Sequence, residues 1–118
     1  MTDLSGKVAL ITGAGRGQGE AEARLFAELG ARVVVADVLD DEVAAVASEL
    51  GSDRALAVHL DVREPGQWLA ALSMAQETFG FVDVLVNNAG IYFQASVADT
   101  PLERYRRLID VNQIGVFL

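Results

Sequence analysis

The 118-residue sequence predicts an α/β fold, a Rossmann-type doubly wound parallel sheet of about four strands in the order 3-2-1-4 with flanking helices. Three observations predict it. Short apolar runs alternate with longer segments of helical periodicity. The strand-like runs Val8-Ala9-Leu10-Ile11 and Val33-Val34-Val35 are continuously apolar, the mark of strands buried on both faces. Four glycines (Gly13, Gly15, Gly17 and Gly19) crowd the first strand-to-helix junction, and right-handed crossovers then fix the strand order.

Taken in order, Lys7 to Thr12 reads as a buried strand, and Glu20 to Leu29 as a helix with Ala21, Leu25, Phe26 and Leu29 on its inner face and Gly30 as its stop. Arg32 to Asp37 is the second strand. Asp40 to Leu50 is a helix carrying Val43, Val46, Ala47 and Leu50 at i, i+3, i+4, i+7 spacing. Ala55 to Leu60 is the third strand. Pro65 opens the next helix, whose stripe is Trp68, Leu69, Leu72, Ala75 and Phe79, closed by Gly80. Val82 to Val86 is the fourth strand, followed by a loop over Asn87 to Ala98. Thr100-Pro101-Leu102-Glu103 fits a capping box with proline at the first helical position, and Leu102, Tyr105, Leu108, Ile109 and Asn112 align on the helix it opens.

Composition bounds the function. With 52% hydrophobic and 22% charged residues the chain is globular, and its length suits one domain over 1-118. A net charge of −8 argues against nucleic acid as a partner, because such binding draws on many Lys and Arg contacts to phosphate. A local cluster of backbone amides still outweighs a distant global charge for a pyrophosphate. Absence of cysteine excludes disulfides and thiolate metal sites and fits the cytoplasm. No run approaches the roughly 18 apolar residues that span a membrane, and no metal site is expected. The stretch Asp110 to Leu118 is amphipathic or apolar to its end, so the chain reads as stopping within a helix. The strand that would cover the fourth strand's edge is missing from this reading.

Glycines at a strand-to-helix turn cost backbone entropy and are kept where backbone N–H groups must approach a ligand. A helix N-terminus beyond such a turn favours phosphate. Thr12 to Gly19 therefore reads as a dinucleotide site. Asp37, at the end of the second strand, lies near the roughly 20-residue separation expected of the acid that grips an adenosine ribose. Its carboxylate accepts hydrogen bonds from ribose hydroxyls and repels a 2′-phosphate, favouring NAD over NADP. Arg16 pulls the other way, since a guanidinium beside the turn could reach that phosphate. Asp61-Val62 and Asn87-Asn88-Ala89-Gly90 end the third and fourth strands, at the sheet edge where ligands of such folds lie.

With Thr12-Gly13, Gly17 and Gly19 at these spacings and the Asn-Asn-Ala-Gly block, the sequence resembles the short-chain dehydrogenases/reductases along essentially all of its length. The resemblance implies that Gly13, Arg16, Gly17 and Gly19 line the pyrophosphate turn and that Asp37 binds the adenosine ribose. Asp61 and Val62 would contact adenine. Asn88, Ala89 and Gly90 would floor the nicotinamide-side ribose, with Asn87 bracing the sheet. Asn112 would be the catalytic asparagine, disturbing its helix and holding a water of the proton relay. Gln18 and Gln113 stand where the family usually carries aliphatic residues, and Gln18 either loosens packing behind the turn or contacts the cofactor. His59 reads as a strand residue and Trp68 as helix packing.

The family's acid/base is a tyrosine four residues before a lysine, preceded by a serine. Neither Tyr92 nor Tyr105 has lysine four on, since those positions hold Ser96 and Ile109. The expectation is thus the cofactor half of an NAD-dependent oxidoreductase acting on a secondary alcohol or ketone, steroid-like in the bacterial relatives it most resembles. Such an enzyme would be a homo-oligomer when complete, and this chain is expected to be inactive and to self-associate alone. The alternatives are a non-catalytic NAD-binding module and a methyltransferase-type domain that uses the glycine turn for S-adenosylmethionine.

Overall fold

The computed structural model describes residues 2–118. Four parallel strands, β1 (Val8–Thr12), β2 (Arg32–Asp37), β3 (Ala55–His59) and β4 (Val84–Val86), form one sheet in the order β3-β2-β1-β4. That is the predicted order. Registers run Leu10 beside Val34 and Leu85, and Val34 beside Leu56. The helices α1 (Gly17–Glu28), α2 (Asp40–Leu50) and α3 (Pro65–Phe79) make the crossovers. Beyond β4 come α4 (Leu102–Ile109), a π-helical turn (Asp110–Ile114) and the short α5 (Gly115–Phe117).

Side chains alternate across the sheet, so each strand feeds two cores. Ala9, Ile11, Val33 and Val35 face α1 and α2, packing with Ala23, Ala27, Val43 and Val46. Val8, Leu10, Val34 and Ala36 face α3 and pack with Val58, Trp68, Ala71 and Ala75. Leu10, Ile11, Val33, Val34 and Val35 are fully buried, and each such side chain contributes roughly 1.5–3 kcal/mol of transfer free energy.

Two expected helix faces are corrected in part, Phe26 of α1 and Trp68, Ala75 and Phe79 of α3 packing inward as expected. In α1 the buried residues are Gly19, Ala23 and Ala27, while Leu25 is half exposed. The i, i+4, i+8 row of small residues faces inward, and Gly19 lies directly against the Gly13 carbonyl. In α3 the buried row is Trp68, Ala71 and Ala75, and Leu69 and Leu72 point outward. The inner face of α2 is as expected, with Val43 and Val46 buried and Ala47 and Leu50 packed beside them. The capping box does not form. α4 starts at Leu102 after an extended Pro101, and the Thr100 hydroxyl donates to the Ser96 carbonyl at 2.7 Å.

Candidate cofactor site

The carboxyl ends of the strands open into a cavity of about 410 Å³. The turn after β1 forms one wall. Gly13 and Gly17 have φ of +65° and +60°, the left-handed region that glycine enters without strain. A Cβ at Gly13 would lie 2.9 Å from the Ala89 Cα, so β1 and the turn after β4 touch backbone to backbone there. At Gly19 a Cβ would overlap the Gly13 carbonyl oxygen. Gly17 differs: a Cβ there would meet nothing within 4 Å. No side chain caps the start of α1, which leaves that end without a side-chain partner, as an anion site requires. The turn fits a pyrophosphate.

Thr12, almost fully buried, organises the far wall. Its hydroxyl oxygen accepts the N–H groups of Asn88 (3.0 Å) and Ala89 (2.9 Å). The Asn88 side-chain amide donates to the carbonyls of Thr12 (3.1 Å) and Gly13 (3.2 Å). Bracing expected of Asn87 is therefore performed by Asn88, and Asn87 is exposed. Asn88 lies behind the cavity, while Ala89 and Gly90 line it.

Asp37 ends β2 at the cavity. One carboxylate oxygen accepts the Gly15 N–H at 3.0 Å and the other accepts the Val38 N–H at 2.7 Å. The acid thus locks the glycine turn to the end of β2. Arg16 lines the cavity beside it.

After β3 the chain turns at Asp61-Val62-Arg63, all three of which line the cavity. The Arg63 guanidinium grips the Asp61 carboxylate, Nε to Oδ1 at 2.9 Å and the terminal nitrogen to Oδ2 at 2.6 Å. These hydrogen bonds hold the Asp61 carboxyl below the usual carboxylate range and raise the guanidinium. From α3, Gln67 accepts the Asp61 N–H at 2.6 Å and the Trp68 indole donates to the Val62 carbonyl at 2.9 Å. Trp68 is helix packing with a second duty. His59 sits exposed at the cavity edge, Nδ1 2.7 Å from an Asp40 oxygen.

Asn112 lies at the centre of the π-helical turn, so the expected disturbance of its helix is present. Its side chain is engaged on both sides: the amide donates to the Ile91 carbonyl at 2.7 Å and its oxygen accepts the Ile91 N–H at 2.8 Å. It sits behind Gly90 and Ile91 rather than on the cavity wall. Of the predicted residues, Gly13, Arg16, Asp37, Asp61, Val62, Ala89 and Gly90 converge on the cavity, whereas Gly17, Gln18, Gly19, Asn88 and Asn112 do not line it. Gln18 is exposed. Sequence reasoning missed Thr12 as an organiser and Arg63, Arg107 and Val111 as lining residues. Arg63 follows the Asp61-Val62 pair directly and was open to notice, whereas Arg107 and Val111 reach the cavity only through the path of α4 and the π turn. Among the described residues no cluster of metal-ligating side chains occurs and no helix is long and apolar enough to cross a membrane.

The sequence model of the short chain dehydrogenase family matches residues 7–118. The chain belongs to that family. Among its short-chain dehydrogenase relatives, a 3-alpha-(or 20-beta)-hydroxysteroid dehydrogenase of Mycobacterium tuberculosis is 50% identical over 115 residues, which cover 98% of this chain and 44% of that one. A trans-4-hydroxycyclohexanecarboxylate dehydrogenase of Sinomonas cyclohexanicum is 48% identical, over 95% of this chain and 46% of the relative. In structure, a 3-ketoacyl-(acyl-carrier-protein) reductase from Brucella melitensis complexed with NADH superposes with a TM-score of 0.94 at 45% identity, covering 98% of this chain and 48% of that one. The chain spans less than half the length of each of these three proteins.

Proposed function

We propose that residues 1–118 form the NAD-binding domain of an oxidoreductase that moves hydride between a nicotinamide and a secondary alcohol or ketone. The observation that carries the cofactor choice is Asp37, a carboxylate on the cavity wall tied to the Gly15 N–H. At ribose distance such a charge accepts two hydroxyls and repels a 2′-phosphate by several kcal/mol even at an effective dielectric near 20. NAD is therefore the cofactor and NADP the less favoured one. Bound nicotinamide supplies the hydride chemistry; the chain supplies placement.

Gly13, Gly17 and Gly19 shape the turn that takes the pyrophosphate, with Arg16 and Gln18 at its open side. Asp61 and Val62 take the adenine. Ala89 and Gly90, held by Asn88 and Thr12, floor the nicotinamide-side ribose. Asn112 is the position the family pattern makes catalytic: its amide fixes Ile91, and the π turn around it is the helix disturbance in keeping with holding a water of the proton relay. A cyclic secondary alcohol is the substrate class, supported by the hydroxysteroid and hydroxycyclohexane relatives. The complete enzyme is a homo-oligomer on this reading.

Calorimetric titration with NADH tests the assignment. Asp37→Ala should weaken binding by about 1–3 kcal/mol, the cost of leaving polar partners unsatisfied; unchanged affinity would remove Asp37 from the ribose site. Because no tyrosine here has lysine four residues on, the 118-residue chain assayed by itself should bind NADH yet oxidise no alcohol. Robust turnover by that chain would overturn the reading of its relay. NADH binding by the full-length protein without turnover of any ketone would favour a non-catalytic module instead.

A further inference from the structure

We propose that His59 is a specificity-determining residue whose charge sets how strongly the cavity rejects a 2′-phosphorylated dinucleotide, an inference that rests on the dinucleotide reading above. The strand register carries it. His59 ends β3 as the direct partner of Asp37, which ends β2. Register partners leave a sheet on the same face, from strands about 4.8 Å apart. Both residues line the cavity. On that face Asp37 accepts the Gly15 N–H, and His59 meets Asp40 at the start of α2, Nδ1 to Oδ1 at 2.7 Å.

An imidazole is the side chain whose ordinary titration falls between about pH 5 and 8. Asp40 fixes the His59 ring at the cavity edge without cancelling the change in its charge. A proton on the ring takes the pair from one net negative charge to none. The His59 side chain is 48% exposed, so that proton comes directly from solvent. The other charged groups around the ring are Asp37 of β2, Asp41 and Glu42 in the first turn of α2, Arg16 of the glycine turn, and the Asp61–Arg63 pair after β3. Carboxylates and guanidiniums ordinarily titrate outside this range, and Arg63 holds the Asp61 carboxyl lower still. His59 is therefore the group among them that changes charge. A 2′-phosphate brings nearly two negative charges. Above neutral pH it meets Asp37 beside an uncharged ring and is repelled. In mild acid a cation stands next to Asp37, inside the screening length of about 8 Å, and part of the repulsion is offset. A free ribose hydroxyl gains far less from the same charge.

The test is calorimetric binding of NADH and NADPH at about pH 8 and about pH 5.5, read as the ratio of their dissociation constants. The 2′-phosphate takes up a proton of its own near about pH 6, and His59→Gln, which stays uncharged, measures that share. Between the two pH values wild type should lose at least about fivefold more discrimination than His59→Gln, well below what one unit charge at this range supplies. His59→Lys carries the charge permanently, so at the higher pH its ratio should already lie at least about fivefold below that of wild type. Circular dichroism at both pH values checks folding, and His59→Asn replaces a glutamine variant that fails it. An equal loss in wild type and the glutamine variant overturns the role of His59, as does full discrimination by a folded lysine variant. Tighter binding of NADPH than NADH by wild type at the higher pH overturns Asp37 as the repelling group. Failure of wild type to bind either one overturns the dinucleotide reading itself.

Discussion

Individual side chains at the carboxyl ends of the strands do two jobs, facing the cavity and tying loops together. Thr12 shows the second most clearly, since one hydroxyl oxygen satisfies two backbone N–H groups of the turn after β4. Thr12→Val keeps the shape and strands both donors, so urea unfolding should show a loss of about 1–3 kcal/mol. The Asp61–Arg63 pair has a pH signature of its own. The folded Asp61 carboxyl lies below its unfolded value, so the pair stabilises the fold above the unfolded value near pH 4 and loses that contribution as pH falls through the folded value. The difference in melting temperature between wild type and Arg63→Ala should therefore hold steady from pH 7 to about pH 5 and shrink below about pH 4. A difference that grows in acid would contradict the pairing. Asp37 was legible from the sequence because it ends a strand at a known distance from the glycine turn. Arg63 directly follows the Asp61-Val62 pair, but an ion pair two residues apart leaves no periodic trace to mark its role.

Whole elements were legible where the burial period is simple. The continuous apolar strands and their order follow from crossover geometry, and the inner face of α2 follows from its valines. The faces of α1 and α3 were misjudged in part, since Phe26, Trp68, Ala75 and Phe79 pack inward as expected. Large apolar residues dominate any reading by hydrophobicity, so small residues on a sheet-facing row are overlooked. Gly19, Ala23 and Ala27 form that row in α1, and Ala71 joins Trp68 and Ala75 in α3. Two substitutions separate the readings. Leu25→Ala should change stability by no more than about 0.5 kcal/mol, as for an exposed site. Gly19→Ala, whose Cβ would overlap the Gly13 carbonyl and approach the Asn88 amide to 2.5 Å, should cost about 3 kcal/mol, toward the upper end for overpacking. A loss of about 2 kcal/mol or more for Leu25→Ala on chemical denaturation would return Leu25 to the core. The capping box at Thr100 failed as a signal because α4 begins after an extended Pro101, and Thr100 belongs to the preceding loop, where its hydroxyl donates to the Ser96 carbonyl.

For the molecule as a whole, the sheet leaves β4 paired on one side only. Phe81 is 77% exposed and Leu85 49% exposed beside that open edge, and Leu69 and Leu72 are exposed on α3. α4 buries none of its residues, and the molecule is elongated, 49 × 28 × 27 Å. Open strand edges and contiguous apolar surface drive association. Sedimentation of the 118-residue chain should accordingly show concentration-dependent self-association, and a monodisperse monomer at high concentration would count against it. The cavity does not depend on that edge, because its walls come from the ends of β1, β2 and β3, the turn after β4, α4 and the π turn. The most direct measurement is a calorimetric titration of the chain with NADH, NADPH and S-adenosylmethionine in parallel. Saturable one-to-one binding of NADH, with NADPH weaker by about tenfold or more through repulsion at Asp37, is the predicted result. Tighter binding of NADPH or S-adenosylmethionine, or no binding of NADH at all, would contradict it.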